Sequence, residues 1–302
     1  MVTQEEIAKA ADILRTGGLV VFPTETVYGL GANALDPAAV QKIYELKGRP
    51  ANSPLIVHVA TVEQARALAA DWPEAAERLA QEYWPGPLTL VLPKKRFIPD
   101  EVTAGLATVG IRIPRHPVAL ALLKAAVVPI AAPSANLFTQ LSPTTAQHVR
   151  EAFGEQTPFL LDGGACEVGI ESTVVAVTHD GLEVLRPGMA LVGGAVAALE
   201  TQEDAHRAPG QHKKHYSPRT RVLLVSDGQL PAEGRGAYLH LQHVTAASFM
   251  RKMPERAEDY AAQIYRTLHE LDGQGFDWIA VELPPRASEW AAIRDRLTRA
   301  AY

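Results

Sequence analysis

Five basic residues in the first two thirds of the chain lie within two residues of a glycine or proline, where predicted helices and strands end. They are Lys47 and Arg49 in ELKGRP, Arg112 and Arg115 in GIRIPRHP, and Arg186 in LRPG. Proline and glycine interrupt regular structure, so each cation is expected in a turn. If these turns converge, several fixed positive charges face one cleft, which suits phosphates or carboxylates. The alternative is that each is a solvated charge at a strand end.

Two predicted loops carry hydroxyl and amide groups that could contact the same anion. APSANLFTQLSPTTAQHV contains Ser134, Asn136 and Ser142, and GIEST leads into a β-branched run. Ser142 also fits a helix N-cap followed by Pro143 at the first helical position. Capping alone and phosphate binding at a helix N-terminus both remain open for Ser142.

A dense polar run follows the first predicted strand. VVFPTETVYGLGANALDP passes from apolar residues into Thr24, Glu25 and Thr26, which we interpret as a loop that holds a ligand. Glu25 could be a base, a neighbour of a magnesium ion or only a loop charge. The sequence lacks GxxxxGK[ST], and YGLGANA does not fit GxGxxG. Two histidines in HKKH, without further ligands, do not predict a metal site.

Composition sets the broad class of the protein. The chain has 302 residues, 47% hydrophobic and 21% charged, with a net charge of −5, so no overall basic field indicates a nucleic-acid binder. Its one cysteine excludes an intramolecular disulfide. The acidic, amphipathic N-terminus is unlike a signal peptide, and no apolar run reaches the ~18 residues of a membrane helix. A cytoplasmic location is therefore expected.

Runs of β-branched residues with turn signals between them predict more strands than helices before residue 190. We predict an α/β fold with a large, twisted, mixed β-sheet in a domain at 1–190. A linker with the HYSP motif follows at 191–218. Alternating strands and helices at 219–302, including a helix at 287–301, predict a smaller open-sheet, Rossmann-like domain. That second domain carries eleven basic and eleven acidic side chains, so it has no net positive charge.

Seven phrases resemble the Sua5/YrdC family of threonylcarbamoyl-AMP synthases, in the family's order. They are FPTETVYGLGANA, KGRP…PLIVHV, WPGPLTLVL, TVGIRIPRHP, PIAAPSAN…SPTTA, DGG…VGIESTVV and LRPG. HYSP resembles the linker motif of the longer Sua5 form, and 219–302 resembles its C-terminal domain.

The resemblance implies a reaction of L-threonine, bicarbonate and ATP, with Mg²⁺, that gives L-threonylcarbamoyl-AMP and pyrophosphate for t6A at position 37 of tRNA. A carbamate oxygen attacks the α-phosphorus, so two anions must approach each other. The implied partners are the proteins that transfer the threonylcarbamoyl group to tRNA; direct contact with tRNA is not implied by the net charge.

The resemblance also assigns site residues. The catalytic positions on the nucleotide phosphates are Lys47, Arg49, Ser134 and Asn136. The ATP site is further lined by Thr108, Ala132, Ser142, Arg186 and Tyr216. L-Threonine is surrounded by Thr24, His58, Arg112 and Ser172. Tyr216 implies that the linker folds over the cleft as a lid, with the second domain as a gate.

Three segments depart from the family's pattern. Gln211, His212 and Lys213 replace a Met-Lys-aromatic run in the linker, Phe138-Thr139 replaces Ser-Gly, and SEWAAIRDRLTRAA keeps only the rhythm of the usual C-terminal segment. Two other functions are compatible with a cationic cleft: a double-stranded RNA or tRNA-binding module, and a carbamoyl-transferring enzyme that acts on another amine.

Overall fold

The structure, a computed structural model, describes residues 2–197, 208–210, 212 and 214–302. Its α-helices are α1 (Gln4–Arg15), α2 (Pro37–Lys47), α3 (Val62–Leu68), α4 (Glu74–Tyr83), α5 (Asp100–Thr103), α6 (Pro117–Ala126), α7 (Ala146–Phe153), α8 (Ala257–Asp272) and α9 (Ala291–Ala300). Its strands are β1 (Val20–Pro23), β2 (Tyr28–Asn33), β3 (Ile56–His58), β4 (Leu88–Pro93), β5 (Thr108–Arg112), β6 (Ile130–Ala131), β7 (Phe159–Leu160), β8 (Thr173–Thr178), β9 (Gly181–Arg186), β10 (Val196–Ala197), β11 (Arg221–Val225), β12 (Gly236–His240), β13 (Phe249–Lys252) and β14 (Trp278–Glu282).

The first sheet has the order β10-β9-β8-β4-β5-β3-β6-β2-β1-β7 within the described residues. It is mixed, because β3 and β5 are parallel whereas β1 and β2 are antiparallel. The predicted large mixed sheet is confirmed. The loop predicted after Pro23 is shorter than expected, since the run from Tyr28 already belongs to β2. Glycine lowers strand propensity, but a Cβ at Gly31 would lie 2.8 Å from Phe22 Cε1, so close packing requires it.

The second sheet has the order β11-β14-β12-β13, and all its pairs are parallel. Helix α8 packs on it through apolar residues at helical spacing, among them Tyr260, Ile264 and Leu268. The predicted open α/β sheet is therefore confirmed. The sequence prediction missed β13, an edge strand with alternating exposure, and placed the last helix too early, since 288–290 form a 3-10 turn before α9.

The predicted N-cap at Ser142 is wrong. Helix α7 begins at Ala146, and its N-cap is Thr145, whose hydroxyl accepts from His148 N. The Ser142 hydroxyl instead donates to Glu171, so a distant partner outweighs the local capping pattern.

One hydrophobic cluster joins the two sheets. Val27, Leu141 and Ile170 from the first sheet's loops pack with Tyr216 and the core of the second domain. Gly169 has φ +79°, and a Cβ there would lie 2.4 Å from Ala261 O of α8. The loops that follow β1 and precede α7 and β8 therefore rest on the second domain. Strand β10 continues the first sheet to Ala197, and the domain boundaries at 190 and 219 stay predictions. None of the described helices combines the length and apolarity needed to span a bilayer.

Candidate active site

A cleft with a volume of about 530 Å³, open to solvent, lies where the ends of β1, β3 and β5 meet the loops after β6 and before β8. All four residues assigned to L-threonine line it: Thr24, His58, Arg112 and Ser172. Five of the residues assigned to ATP also line it: Arg49, Ala132, Ser134, Arg186 and Tyr216. Three of the five predicted cations, Arg49, Arg112 and Arg186, therefore converge on the cleft, whereas Lys47 and Arg115 do not line it. The individual roles stay predictions.

Arg112 is held by an ion pair that is almost completely buried. Its Nη2 donates to Glu25 Oε1 at 2.6 Å, Nη1 to Thr26 Oγ1 at 2.9 Å and Nε to Gly86 O at 3.2 Å. Since a guanidinium has five N–H groups, two remain for a ligand. Glu25 Oε2 also accepts from the backbone N–H of Arg115 at 2.9 Å.

Glu25 is therefore the fixed counter-ion of Arg112. Burial raises the pKa of Glu25, but the Arg112 guanidinium and the hydrogen bonds outweigh this effect and hold it below its ordinary value. Both carboxylate oxygens are engaged, which favours an anchoring role over those of free base or metal ligand.

His58 lies beside this pair with its ring edge against Phe22. Burial, together with the Arg112 charge, lowers the pKa of His58 to about 3, so the imidazole is neutral near pH 7. Its Nδ1 is buried and has no partner among the described residues. This nitrogen is available to a polar group of a substrate.

Lys47 and Arg49 flank Gly48, which ends α2 in the left-handed conformation. Arg49 Nη2 donates to Ser53 Oγ at 2.5 Å and to Pro54 O at 3.1 Å, and the side chain lines the cleft. Burial lowers the pKa of Arg49 to about 10, so it remains charged at neutral pH.

Lys47 is near the cleft but outside its lining. Its Nζ donates to Ser134 O at 2.7 Å and to Asn136 O. Burial, reinforced by Arg49, lowers the pKa of Lys47 well below its ordinary value. Two hydrogen bonds from Nζ thus fix the 134–136 loop.

Asn136, also outside the lining, completes that loop. Its amide donates to Leu137 O at 2.8 Å and Gln140 O at 2.9 Å, while Oδ1 is buried without a partner among the described residues. Backbone bonds tie the same loop to the first sheet, since Ala135 N donates to Tyr28 O at 2.8 Å.

Arg186 connects the first domain's strands to the linker. Its Nε and Nη2 donate to Ser172 O at 3.1 and 2.9 Å, and Nη1 donates to Pro209 O at 3.0 Å. Ser172 Oγ lies 2.8 Å from Thr89 Oγ1. The guanidinium therefore positions both a cleft hydroxyl and the first linker residues.

Thr108 lines a small neighbouring cavity. Ile56 and Pro209 line both this cavity and the cleft, so the two form one trough. Most of the other walls are apolar, including Leu55 and Val174.

The linker forms one wall of the cleft through Pro209, Gly210, His215 and Tyr216. Tyr216 has φ 58°, and its buried hydroxyl has no hydrogen-bond partner among the described residues. Two of the departures from the family's pattern lie outside the described residues, namely Gln211 and Lys213.

Sequence reasoning missed two residues at this wall. Glu171, between Ile170 and Ser172, lines the cleft, and Arg296 of α9 binds its carboxylate. A signal for Arg296 was present, because it stands at helical spacing with the buried residues Ile293 and Leu297. An arginine on the apolar face of a helix predicts a buried partner.

Comparisons with known proteins show which family the chain belongs to. The Sua5–YciO–YrdC family model, described as telomere recombination, matches residues 12–188, and the model of the threonylcarbamoyl-AMP synthase C-terminal domain matches 176–302. The threonylcarbamoyl-AMP synthase of Pyrococcus abyssi (strain GE5 / Orsay) is 39% identical over 98% of this chain and 94% of its own length. The one from Bacillus subtilis (strain 168) is 41% identical over 98% and 93%.

Solved structures show the same similarity. The crystal structure of P. abyssi Sua5 complexed with L-threonine has a TM-score of 0.92 at 38% identity, covering 100% of this chain and 95% of that one. E. coli YciO has a TM-score of 0.56 at 25% identity over 63% of this chain and 93% of its own. The chain therefore belongs to the Sua5/YrdC family of threonylcarbamoyl-AMP synthases, in the form that carries a C-terminal Sua5 domain.

Proposed function

We propose that the protein joins L-threonine, bicarbonate and ATP into L-threonylcarbamoyl-AMP with release of pyrophosphate, as the activated intermediate for t6A at position 37 of tRNA. The observation that carries the proposal is the convergence of Arg49, Arg112 and Arg186 on one cleft, all three almost fully buried. The relatives named above as threonylcarbamoyl-AMP synthases match over nearly the whole chain.

The Arg112 end suits the amino acid. Two free N–H groups of Arg112 can bind the carboxylate of L-threonine in parallel, and Glu25 keeps the guanidinium oriented for it. Neutral His58 and the hydroxyl groups of the 24–26 loop supply polar contacts without adding charge.

The other end suits the nucleotide. Arg49 and Arg186 supply positive charge where the carbamate would meet the α-phosphorus, which lowers the repulsion between two anions. Apolar walls near Thr108 adjoin this end of the cleft. Positioning of the reactants would supply much of the rate enhancement.

The linker wall suits a reaction with a labile intermediate. Tyr216 is only 1% exposed, and it covers the cleft together with Pro209 and Gly210. Limiting the access of water protects both the carbamate and the mixed anhydride from hydrolysis. The product would then pass to the proteins that transfer the threonylcarbamoyl group to tRNA.

Magnesium would enter with ATP as part of the substrate. No group of three His, Cys, Asp or Glu side chains suitable for a metal occurs in the part of the chain that the structure describes. The two carboxylates of the site, Glu25 and Glu171, are both engaged by arginines. Phosphate oxygens and water would therefore supply most of the coordination.

RNA binding through the same cleft is not favoured. A duplex would need exposed cations to replace its counter-ions, but Lys47, Arg49, Arg112 and Arg186 are each at most 7% exposed. An enzyme that acts on another amine would use the same phosphate-binding residues. The assay below therefore has to distinguish L-threonine from other amines.

Pyrophosphate release from ATP and Mg²⁺ tests the proposal. L-Threonine and bicarbonate are each supplied or omitted, and L-serine replaces L-threonine in a parallel series. We expect release only with both substrates and a preference for L-threonine. Release that ignores L-threonine, or the absence of release under all conditions, contradicts the proposed function.

A further inference from the structure

The second domain supplies an arginine that binds a carboxylate in the wall of the cleft. Arg296 of α9 is 1% exposed, and its Nε donates to Glu171 Oε2 at 2.7 Å. Its Nη2 donates to Pro187 O at 3.0 Å. Glu171 lines the cleft, so this ion pair links the second domain directly to the site.

Glu171 is held by both domains. Its Oε1 accepts from Ser142 Oγ at 2.5 Å, and its Oε2 accepts from Tyr265 OH of α8 at 3.2 Å. Burial raises the pKa of Glu171, but the charges of Arg296 and Arg186 and the hydrogen bonds from Ser142 and Arg296 lower it overall. The carboxylate is therefore ionised, and Ser142, whose hydroxyl donates to it, is buried and does not line the cleft.

Arg296 also contacts the linker. Its Cζ lies 5.1 Å from the centre of the Tyr216 ring, within the range of a cation–π interaction. Tyr216 lines the cleft with a positive φ of 58°, a backbone conformation that its surroundings must maintain. One guanidinium thus holds a cleft carboxylate and the linker tyrosine.

This arrangement answers an electrostatic problem in a cleft that binds triphosphate. An unpaired carboxylate at Glu171 would repel the nucleotide, and the repulsion would be strong because the Glu171 side chain is buried. Arg296, which lies outside the lining, neutralises that carboxylate. Arg49 and Arg186 remain in the lining, where they can bind the nucleotide phosphates.

We propose that Arg296 is a positioning residue for nucleotide binding, through which the docked second domain makes the cleft able to accept ATP. It neutralises Glu171 and holds Tyr216 in place through the cation–π contact, without itself contacting the nucleotide. The identity of the nucleotide rests on the proposed function.

The test measures binding of a non-hydrolysable ATP analogue with Mg²⁺ to the full chain by calorimetry. The proteins are the unsubstituted chain, Arg296→Ala, Glu171→Gln, the double variant, and Arg294→Ala as a control. Arg294 is on the same helix and donates to Pro284 O, within the second domain.

We expect Arg296→Ala to weaken binding about tenfold or more, because it leaves Glu171 unpaired. The double variant Arg296→Ala/Glu171→Gln should bind the analogue more than about threefold more tightly than Arg296→Ala alone, since the two substitutions are coupled through the lost ion pair. Arg294→Ala should bind like the unsubstituted chain. If Arg296 only held the two domains together, removing the charge of Glu171 would not restore the affinity for the analogue.

Unchanged binding by Arg296→Ala, or a double variant that recovers less than this, overturns the inference. If Arg296→Ala does not fold, Arg296→Lys replaces it in both the single and the double variant. Lysine keeps the charge but cannot contact Glu171, Pro187 and Tyr216 together. We therefore expect Arg296→Lys to bind the analogue about threefold more weakly than the unsubstituted chain. Adding Glu171→Gln to Arg296→Lys should reduce this loss of affinity. If the unsubstituted chain binds ATP but its pyrophosphate release ignores L-threonine, only the proposed function fails.

Discussion

Arg112 Nη2 and Glu25 Oε1 lie 2.6 Å apart, and the two side chains are exposed by only 4% and 1%. A buried pair of this kind is costly to break from one side, because the remaining charge has no partner. Arg112, which we propose to bind the carboxylate of the amino acid, therefore depends on a residue that does not line the cleft.

Glu25→Gln should destabilise the fold at neutral pH by about 3 kcal/mol, since it leaves Arg112 with no counter-ion. The pKa of Glu25 is lowered on folding, so its contribution is present above its ordinary value of 4.5 and is lost as the pH falls through the lower folded value. Urea unfolding from pH 7 to pH 4 should show the difference between variant and unsubstituted protein shrinking below about pH 4.5. A difference that stays constant over this range would contradict the ion-pair role.

Arg112→Ala should raise the KM for L-threonine about tenfold or more, because it removes a charge-assisted contact to the carboxylate. Arg115→Ala is the matched control. Its exposed side chain pairs with Glu167 at 3.3 Å, and a surface pair contributes about 0–1 kcal/mol. Steady-state kinetics with ATP and bicarbonate saturating gives both constants. An L-threonine KM unchanged in Arg112→Ala would refute the assignment.

Lys47→Met keeps the length of the side chain but removes two hydrogen bonds to the 134–136 loop. Each buried carbonyl left without a partner costs about 1–3 kcal/mol, so both stability and ATP binding should fall. Lys42→Met is the comparison, since Lys42 donates to Gly17 O, away from the cleft. Equal ATP affinity in the two variants would show that the loop does not need Lys47.

Gly169→Ala should separate the first domain's cleft loops from α8. A Cβ there would lie 2.4 Å from Ala261 O and 2.6 Å from Ala262 Cα, and backbone atoms cannot move aside easily. Gly164→Ala introduces the same positive-φ strain, at φ +84°, with nothing within 4 Å of the new Cβ. Limited proteolysis and urea unfolding should show a larger effect for Gly169→Ala. Equal effects would mean that strain alone explains the loss.

The residues of the cleft could be predicted from the sequence where a local pattern indicates both the type of residue and its place in the fold. Arg49, Arg112 and Arg186 stand at strand or helix ends marked by glycine or proline, and these ends do converge. Ser142 shows the limit of such patterns, because its hydroxyl binds Glu171 rather than capping a helix. The Glu171–Arg296 pair joins residues 125 positions apart, and no periodicity or propensity encodes that distance.

Two departures from the family's usual sequence contact each other. The rings of Phe138, in the loop after Asn136, and His212, in the linker, lie 5.0 Å apart at 86°. An edge-to-face contact of this kind depends on both partners. In chimaeras with a relative that carries the usual residues, the loop and the linker must therefore be exchanged as one unit. Exchanging either alone should loosen the cover over the cleft.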